Sequence, residues 1–164
     1  MKPACLILVA GMLAISSAAA QGEDEVQIRL LTERFCASVV QGNLDVLDTL
    51  FDPDPTNVYY DINEGPLVGL DRLKRVWRAA VRNGRLAGFE FGNDLQIRVE
   101  GDRALQTGSW IQRQVQQDGT TREISGRATI LWRRLADGWR VYHYHGSVTP
   151  RRPPGGGQRQ ADRP

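Results

Sequence analysis

Two Asp-Gly pairs constrain this chain more than any other feature. Asp118-Gly119 and Asp137-Gly138 separate three long stretches, residues 103–116, 121–135 and 139–148, rich in β-branched, aromatic and other apolar residues. Asp-Gly between such stretches is a strong hairpin signal, because tight two-residue turns need positive φ. Long antiparallel strands joined this way twist together into a strongly curved meander. Upstream, Leu95, Ile97 and Val99 alternate with polar residues, and Gly101-Asp102 turns the chain into the first long strand. Residues 89–91 and 57–62 read as two further strands, the latter from its Val/Tyr/Ile content, with a turn at 64–66.

The first half is helical by period. Ile28, Leu31, Phe35 and Val39 recur at helical spacing over residues 23–41, with Val26, Leu30 and Val40 on a second stripe. Glu23, Asp24 and Glu25 are expected in the first turn, where the helix dipole favours acids. Gly42 ends this helix. Asn43 is expected to cap a short second one over 44–51, with Leu47 and Leu50 inward, until Asp52-Pro53-Asp54-Pro55 breaks it. A third helix opens at Gly69 or Asp71, carries Leu70, Leu73, Trp77 and Val81 on one face, and closes at Asn83-Gly84. Its basic residues Arg72, Lys74, Arg75, Arg78 and Arg82 read as a solvated face. Helices first and a sheet after make the class α+β.

The two ends read differently from the body. Lys2, an apolar stretch over 4–15 and the small residues 16–20, with Ala18-Ala19-Ala20 before Gln21, have the layout of an export signal. The stretch is too short to span a bilayer, and no later run is long enough for an integral membrane segment. Cleavage after Ala20 would leave 144 residues, one domain over 21–149, in the periplasm or secreted. Residues 150–164 carry Pro, consecutive Gly and Arg151, Arg152, Arg159 and Arg163, and are expected to be a disordered tail. The net charge of +2 reflects nearly balanced acids and bases plus that tail. A nucleic-acid partner, which needs a basic stripe on the fold itself, is not expected. Cys36 is the only cysteine after the signal and reads as buried.

The order helix, helix, strand, helix, curved meander resembles the SnoaL-like family of the nuclear transport factor 2-like superfamily. The motifs that carry the resemblance are Gly69-Leu70-Asp71, the V-E-G-D-R-A run at 99–104, G-R-A-T at 126–129, and D-G-W-R-V-Y-H-Y-H-G-S at 137–147. The last is the most specific, and the resemblance covers about residues 24–148. It implies a cone-shaped curved antiparallel sheet wrapped around the N-terminal helices, an enclosed pocket, and frequent homodimers. It does not imply one activity: ketosteroid isomerases, scytalone dehydratase, polyketide cyclases and pure binding modules share the fold.

Residues alternate across a strand, so Trp139, Val141, His143, His145 and Ser147 share one face of the last strand and Arg140, Tyr142 and Tyr144 the other. The Trp139/Val141 face is expected inside, which would put both histidines in the cavity mouth about 7 Å apart. Tyr142 and Tyr144 leave the opposite assignment open. Histidine suits acid/base work near neutral pH, or core hydrogen bonding. Asp61, after Tyr59-Tyr60, is either a base with a raised pKa or the cap of the following turn. Arg127 and Thr129 share one face of the preceding strand; an inward Arg127 would need Asp61 or an anionic ligand as partner. Trp77, Trp110 and Trp132 are core or ligand platforms. No metal or other cofactor is expected, since nothing in the spacing of Asp61, His143 and His145 demands an ion. Two readings follow: an exported module binding a small, largely apolar ligand through Tyr59, Trp77, Trp110, Arg127, Thr129, His145 and Ser147, or a cofactor-independent isomerase, dehydratase or cyclase using Asp61 and His143.

Overall fold

A computed structural model describes residues 6–62, 64–83, 85–116 and 118–150, with side chains from residue 21 onward except at 83 and 85. Helix α1 spans Leu6–Gln41. Its inward stripe, Ile28, Thr32, Phe35, Cys36 and Val39, is buried throughout. Because α1 begins well before Glu23, the acids at 23–25 lie mid-helix and not in the first turn as expected. They are used otherwise: Asp24 accepts a hydrogen bond from Trp139 Nε1 at 3.1 Å and pairs with Arg134. The short second helix is a 3-10 helix, Leu44–Thr49, with Leu44 and Leu47 buried; Asn43 makes no side-chain cap there.

Strands β1 (Val58–Tyr60) and β2 (Leu67–Val68) follow, then α2 (Leu70–Asn83). The rest is sheet: β3 (Arg85–Phe91), β4 (Gln96–Glu100), β5 (Arg103–Val115), β6 (Thr121–Leu135) and β7 (Gly138–Val148). The sheet runs β2-β1-β7-β6-β5-β3, with β4 also on β5. Strands β5, β6 and β7 form the meander that the Asp-Gly pairs predict. Among the described strands every pairing is antiparallel except β1 on β7, which is parallel, with Tyr59 beside Tyr144 and Tyr60 beside His145; an isolated parallel bridge also joins Phe51 to Val141. Strand β2 went unanticipated because two residues carry no period. Gly84 and the tail at 151–164 lie outside the described residues.

The inward faces of β5, β6 and β7 close on α1 and α2 around Trp132, Trp139, Phe51, Tyr59 and Leu73. One buried polar group ties helix to sheet. Gln106 Oε1, fully buried, accepts from Thr32 Oγ1 at 2.9 Å and Trp132 Nε1 at 3.0 Å. The expected solvation of the α2 bases fails at Lys74. It is buried, its ammonium held 2.8 Å from Asp48 and 3.6 Å from Asp45, because burial of a charge requires a partner. Cys36 is buried and free, and burial pushes its thiol up to about 12. Among the described residues no helix is long and apolar enough to cross a membrane.

Candidate functional site

A cavity of about 270 Å³ opens between α1, α2 and strands β3, β5 and β7. Each wall follows from one local period. The α1 stripe supplies Phe35 and Val39, and α2 supplies Val76, Trp77 and Ala80. Even-numbered residues of β5 point inward, so Gln106 and Trp110 are buried while Gln112 and Gln114 reach the cavity. Phe89 comes from β3 and Tyr144 from β7. The rings touch one another: Phe35 lies 5.3 Å from Trp77, 5.7 Å from Phe89 and 6.3 Å from Tyr144 between centroids, and Phe89 lies 6.1 Å from Trp110.

Two glycines make room for two of these rings. The Trp110 indole crosses β6 at Gly126, where an added Cβ would fall 2.5 Å from Cε2 and collide with the Ser147 carbonyl oxygen. The Tyr144 phenol lies over Gly146, where a Cβ would sit 2.5 Å from the hydroxyl.

The polar part of the lining is small. Asp61 follows β1 at the rim and accepts a hydrogen bond from Trp77 Nε1 at 3.0 Å. Burial raises its carboxyl above the ordinary value of 3.8, with Glu64 adding to the rise. The Ile62 backbone N–H and the Trp77 indole oppose that rise without cancelling it. Burial likewise pushes the Tyr144 phenol up, and the Asp61 carboxylate adds to this. Trp110 Nε1 is buried without a protein hydrogen-bond partner among the described residues.

Of the expected site residues the structure gathers Asp61, Trp77 and Trp110 at this cavity. Trp132 packs in the core, and Tyr59, also fully buried, packs against Phe51 away from the lining. The expected inward faces of β6 and β7 need correction. On β6 the even residues Gly126, Ala128, Ile130 and Trp132 point in, so Arg127 and Thr129 point out. On β7 Trp139 and Val141 are buried as expected, but the register with β6 slips between Leu131–His143 and Trp132–Val141. Tyr142 is the extra residue of this bulge, and an extra residue reverses which side chains face the core. Tyr144 and Gly146 therefore turn inward, while His143 is half-buried and His145 and Ser147 are exposed on the outer face. Both imidazoles meet the Tyr60 ring edge-on, at 6.1 and 5.7 Å between centroids, and His143 Nδ1 lies 2.8 Å from the Val58 carbonyl oxygen. Tyr142 is held on the outside between Arg103 and Arg133. The open alternative was half right: Tyr144 lines the cavity and Tyr142 does not.

Asp61 and His143 thus lie on opposite sides of the sheet and cannot act as a dyad. Among the described residues no three His, Cys, Asp or Glu side chains are placed to hold a metal. Sequence reasoning passed over Phe35, Phe89, Gln112 and Gln114 as site residues and reached Tyr144 only through the open alternative for β7. Phe35 carried a signal, its place on the inward stripe of α1, but that signal marks any core position. The bulge that turns Tyr144 inward and leaves Tyr142 outside left none.

The profile of the family described as SnoaL-like domain matches residues 20–145. The chain belongs to the SnoaL-like family. Solved structures agree in fold. A nuclear transport factor 2-like superfamily protein from Salmonella enterica superposes with a TM-score of 0.71 at 20% identity, covering 84% of this chain and 99% of that one. A nuclear transport factor 2-like protein from Novosphingobium aromaticivorans gives 0.66 at 20%, over 90% and 92%. A conserved protein from Planctomyces limnophilus gives 0.68 at 19%, over 80% and 100%. Identities this low establish the shared cone and no shared chemistry. No curated protein matches this SnoaL-like chain.

Proposed function

We propose that this SnoaL-like protein binds a small, largely apolar molecule in the cavity, with Asp61 as its polar anchor. The supporting observation is the lining itself. Apolar and aromatic walls enclose one half-buried carboxylate already oriented by the Trp77 indole, the composition of a small-ligand site. The cavity is large enough for a one- or two-ring body. A neutral aromatic ketone, 2-acetylnaphthalene, is a suitable probe. A ligand that binds only the folded protein at 100 times its Kd stabilises it by about 2.7 kcal/mol. Thermal melts should therefore rise with probe concentration, and a melting temperature that ignores the probe up to its solubility would reject the site.

A second reading is favoured by the raised Asp61 carboxyl. A carboxylate in apolar surroundings is a stronger base than in water, and Tyr144 supplies a buried phenol in the same cavity. Asp61 would then remove a proton next to a carbonyl without a cofactor, with no part for His143. Exchange of the acetyl protons of the same probe in deuterium oxide, followed by NMR, tests this. Exchange that Asp61→Asn abolishes supports catalysis; binding without exchange leaves a pure binding module.

Two wider features belong to the same proposal. Residues 1–20 are removed on export and the protein works in the periplasm or outside the cell. The described side chains begin to join the core only at Asp24 and Ile28, so cleavage after Ala20 spares them. Mass spectrometry of exported material should find Gln21 first. The outer sheet face, with Tyr60 and Leu105 exposed, pairs with a second copy, since an apolar face of this kind is a liability on a monomer. Light scattering should give twice the monomer mass.

A further inference from the structure

We propose that the ligand is an organic cation, a protonated amine or quaternary ammonium group carried on an apolar or aromatic body. This rests on the reading of the cavity as a ligand site and narrows it by charge. The described lining holds five aromatic side chains, Phe35, Trp77, Phe89, Trp110 and Tyr144, and two acids, Asp61 and Glu64. It holds no Lys, Arg or His. Aromatic faces carry the negative end of the ring quadrupole and attract a cation that lies within about 6 Å, most strongly when water is excluded. A ring cluster closed by a carboxylate is therefore selective by sign.

Three of the described bases nearby are drawn away. On α2, Lys74 is held by Asp48 and Asp45, and Arg78 by Asp45. On β5, Arg113 points outward to Glu90 and Glu123. Each of these bases already has an acid partner outside the cavity, and among the described residues it is the Trp77 indole and the Ile62 backbone N–H that compensate the Asp61 charge. A cation entering the cavity completes that compensation. An anion would meet two carboxylates, and a neutral ligand would leave the Asp61 charge without a counterion.

The test compares three probes of one shape by calorimetry on the full-length protein. Phenyltrimethylammonium is the cation, tert-butylbenzene its neutral carbon isostere, and 2-phenylpropanoate an anion of similar size. The cation should bind about tenfold or more tighter than the isostere, the scale of a desolvated cation–ring contact. The anion should not compete. Asp61→Asn should weaken the cation about tenfold and leave tert-butylbenzene within about twofold. If Asp61→Asn fails to fold, the wild-type pH profile serves instead. The described titratable groups facing Asp61 are Glu64 on its own loop, Tyr144 on β7 and Cys36 behind Tyr144 on α1; the last two are neutral in the acid range. Cation affinity should therefore fall as pH drops through the carboxylate range while isostere affinity stays flat. Equal or tighter binding of tert-butylbenzene would overturn the cation and leave the binding site standing. Failure of all three probes would overturn both.

Discussion

Replacing Gly126 by Ala tests how the ring wall of the cavity is built. Gly126 lies mid-strand in β6, paired with Trp110 on one side and Val148 on the other. A methyl group there would meet the Ser147 carbonyl oxygen and the Trp110 ring, with Cε2 only 2.5 Å away. The indole could swing aside, but a backbone oxygen within a strand ladder cannot move without parting β6 from β7. Overpacking of this kind costs about 1–3 kcal/mol. The opposing effect, loss of unfolded-chain freedom on going from Gly to Ala, stabilises by about 0.4–1 kcal/mol. The clash wins, and the net loss should be about 1–2 kcal/mol. Urea unfolding followed by circular dichroism should show a lower midpoint at unchanged slope, since the same surface is exposed on unfolding. A midpoint equal to or above wild type would mean that Trp110 does not cross Gly126, and the wall of the cavity would be placed wrongly.

Phe35→Ala should cost about 3 kcal/mol, the low end for a core Phe because one side of the ring already faces the cavity. A loss under about 1 kcal/mol by chemical denaturation would mean that α1 does not dock on Trp77, Phe89 and Tyr144. Asp61→Asn should change the pH dependence of stability with a defined sign. The native state holds the Asp61 proton to higher pH than the unfolded chain does, so wild-type stability falls as pH rises from the ordinary carboxylate value of 3.8 through the raised native value. The amide lacks that titration, so the variant should gain on wild type across that window and stay ahead at neutral pH. A variant that instead loses ground with rising pH would mean that the native fold favours the charged carboxylate.

Much of the fold was legible because its signals are local. The Asp-Gly pairs delimited β5, β6 and β7, and the 3.6-residue period of Ile28, Phe35 and Val39 marked the buried side of α1. The site was less legible, for two physical reasons. Alternation along a strand says which residues share a face but leaves the choice of face to tertiary packing. On β6 the small Ala128 and Gly126 face inward beneath large rings, while Thr129 and Arg127 face out. On β7 one bulge at Tyr142 carried both histidines to the outside, and pairing geometry alone determines that bulge. A cavity is also a place where inward residues fail to fill the space between layers. No period distinguishes Phe35 and Phe89, which border the gap, from Leu73 and Ile130, which lie in filled core.

The four tryptophans offer the most direct test of the central claim, that a ligand occupies this cavity. Trp77 and Trp110 line it, whereas Trp132 is bonded to Gln106 and Trp139 to Asp24 in the packed core. In a ¹H–¹⁵N spectrum each indole N–H gives its own cross-peak. On titration with 2-acetylnaphthalene the Trp77 and Trp110 peaks should move together to one saturating limit, while the Trp132 and Trp139 peaks stay in place. Stationary Trp77 and Trp110 peaks at the solubility limit of the probe, or movement confined to Trp132 and Trp139, would contradict the account.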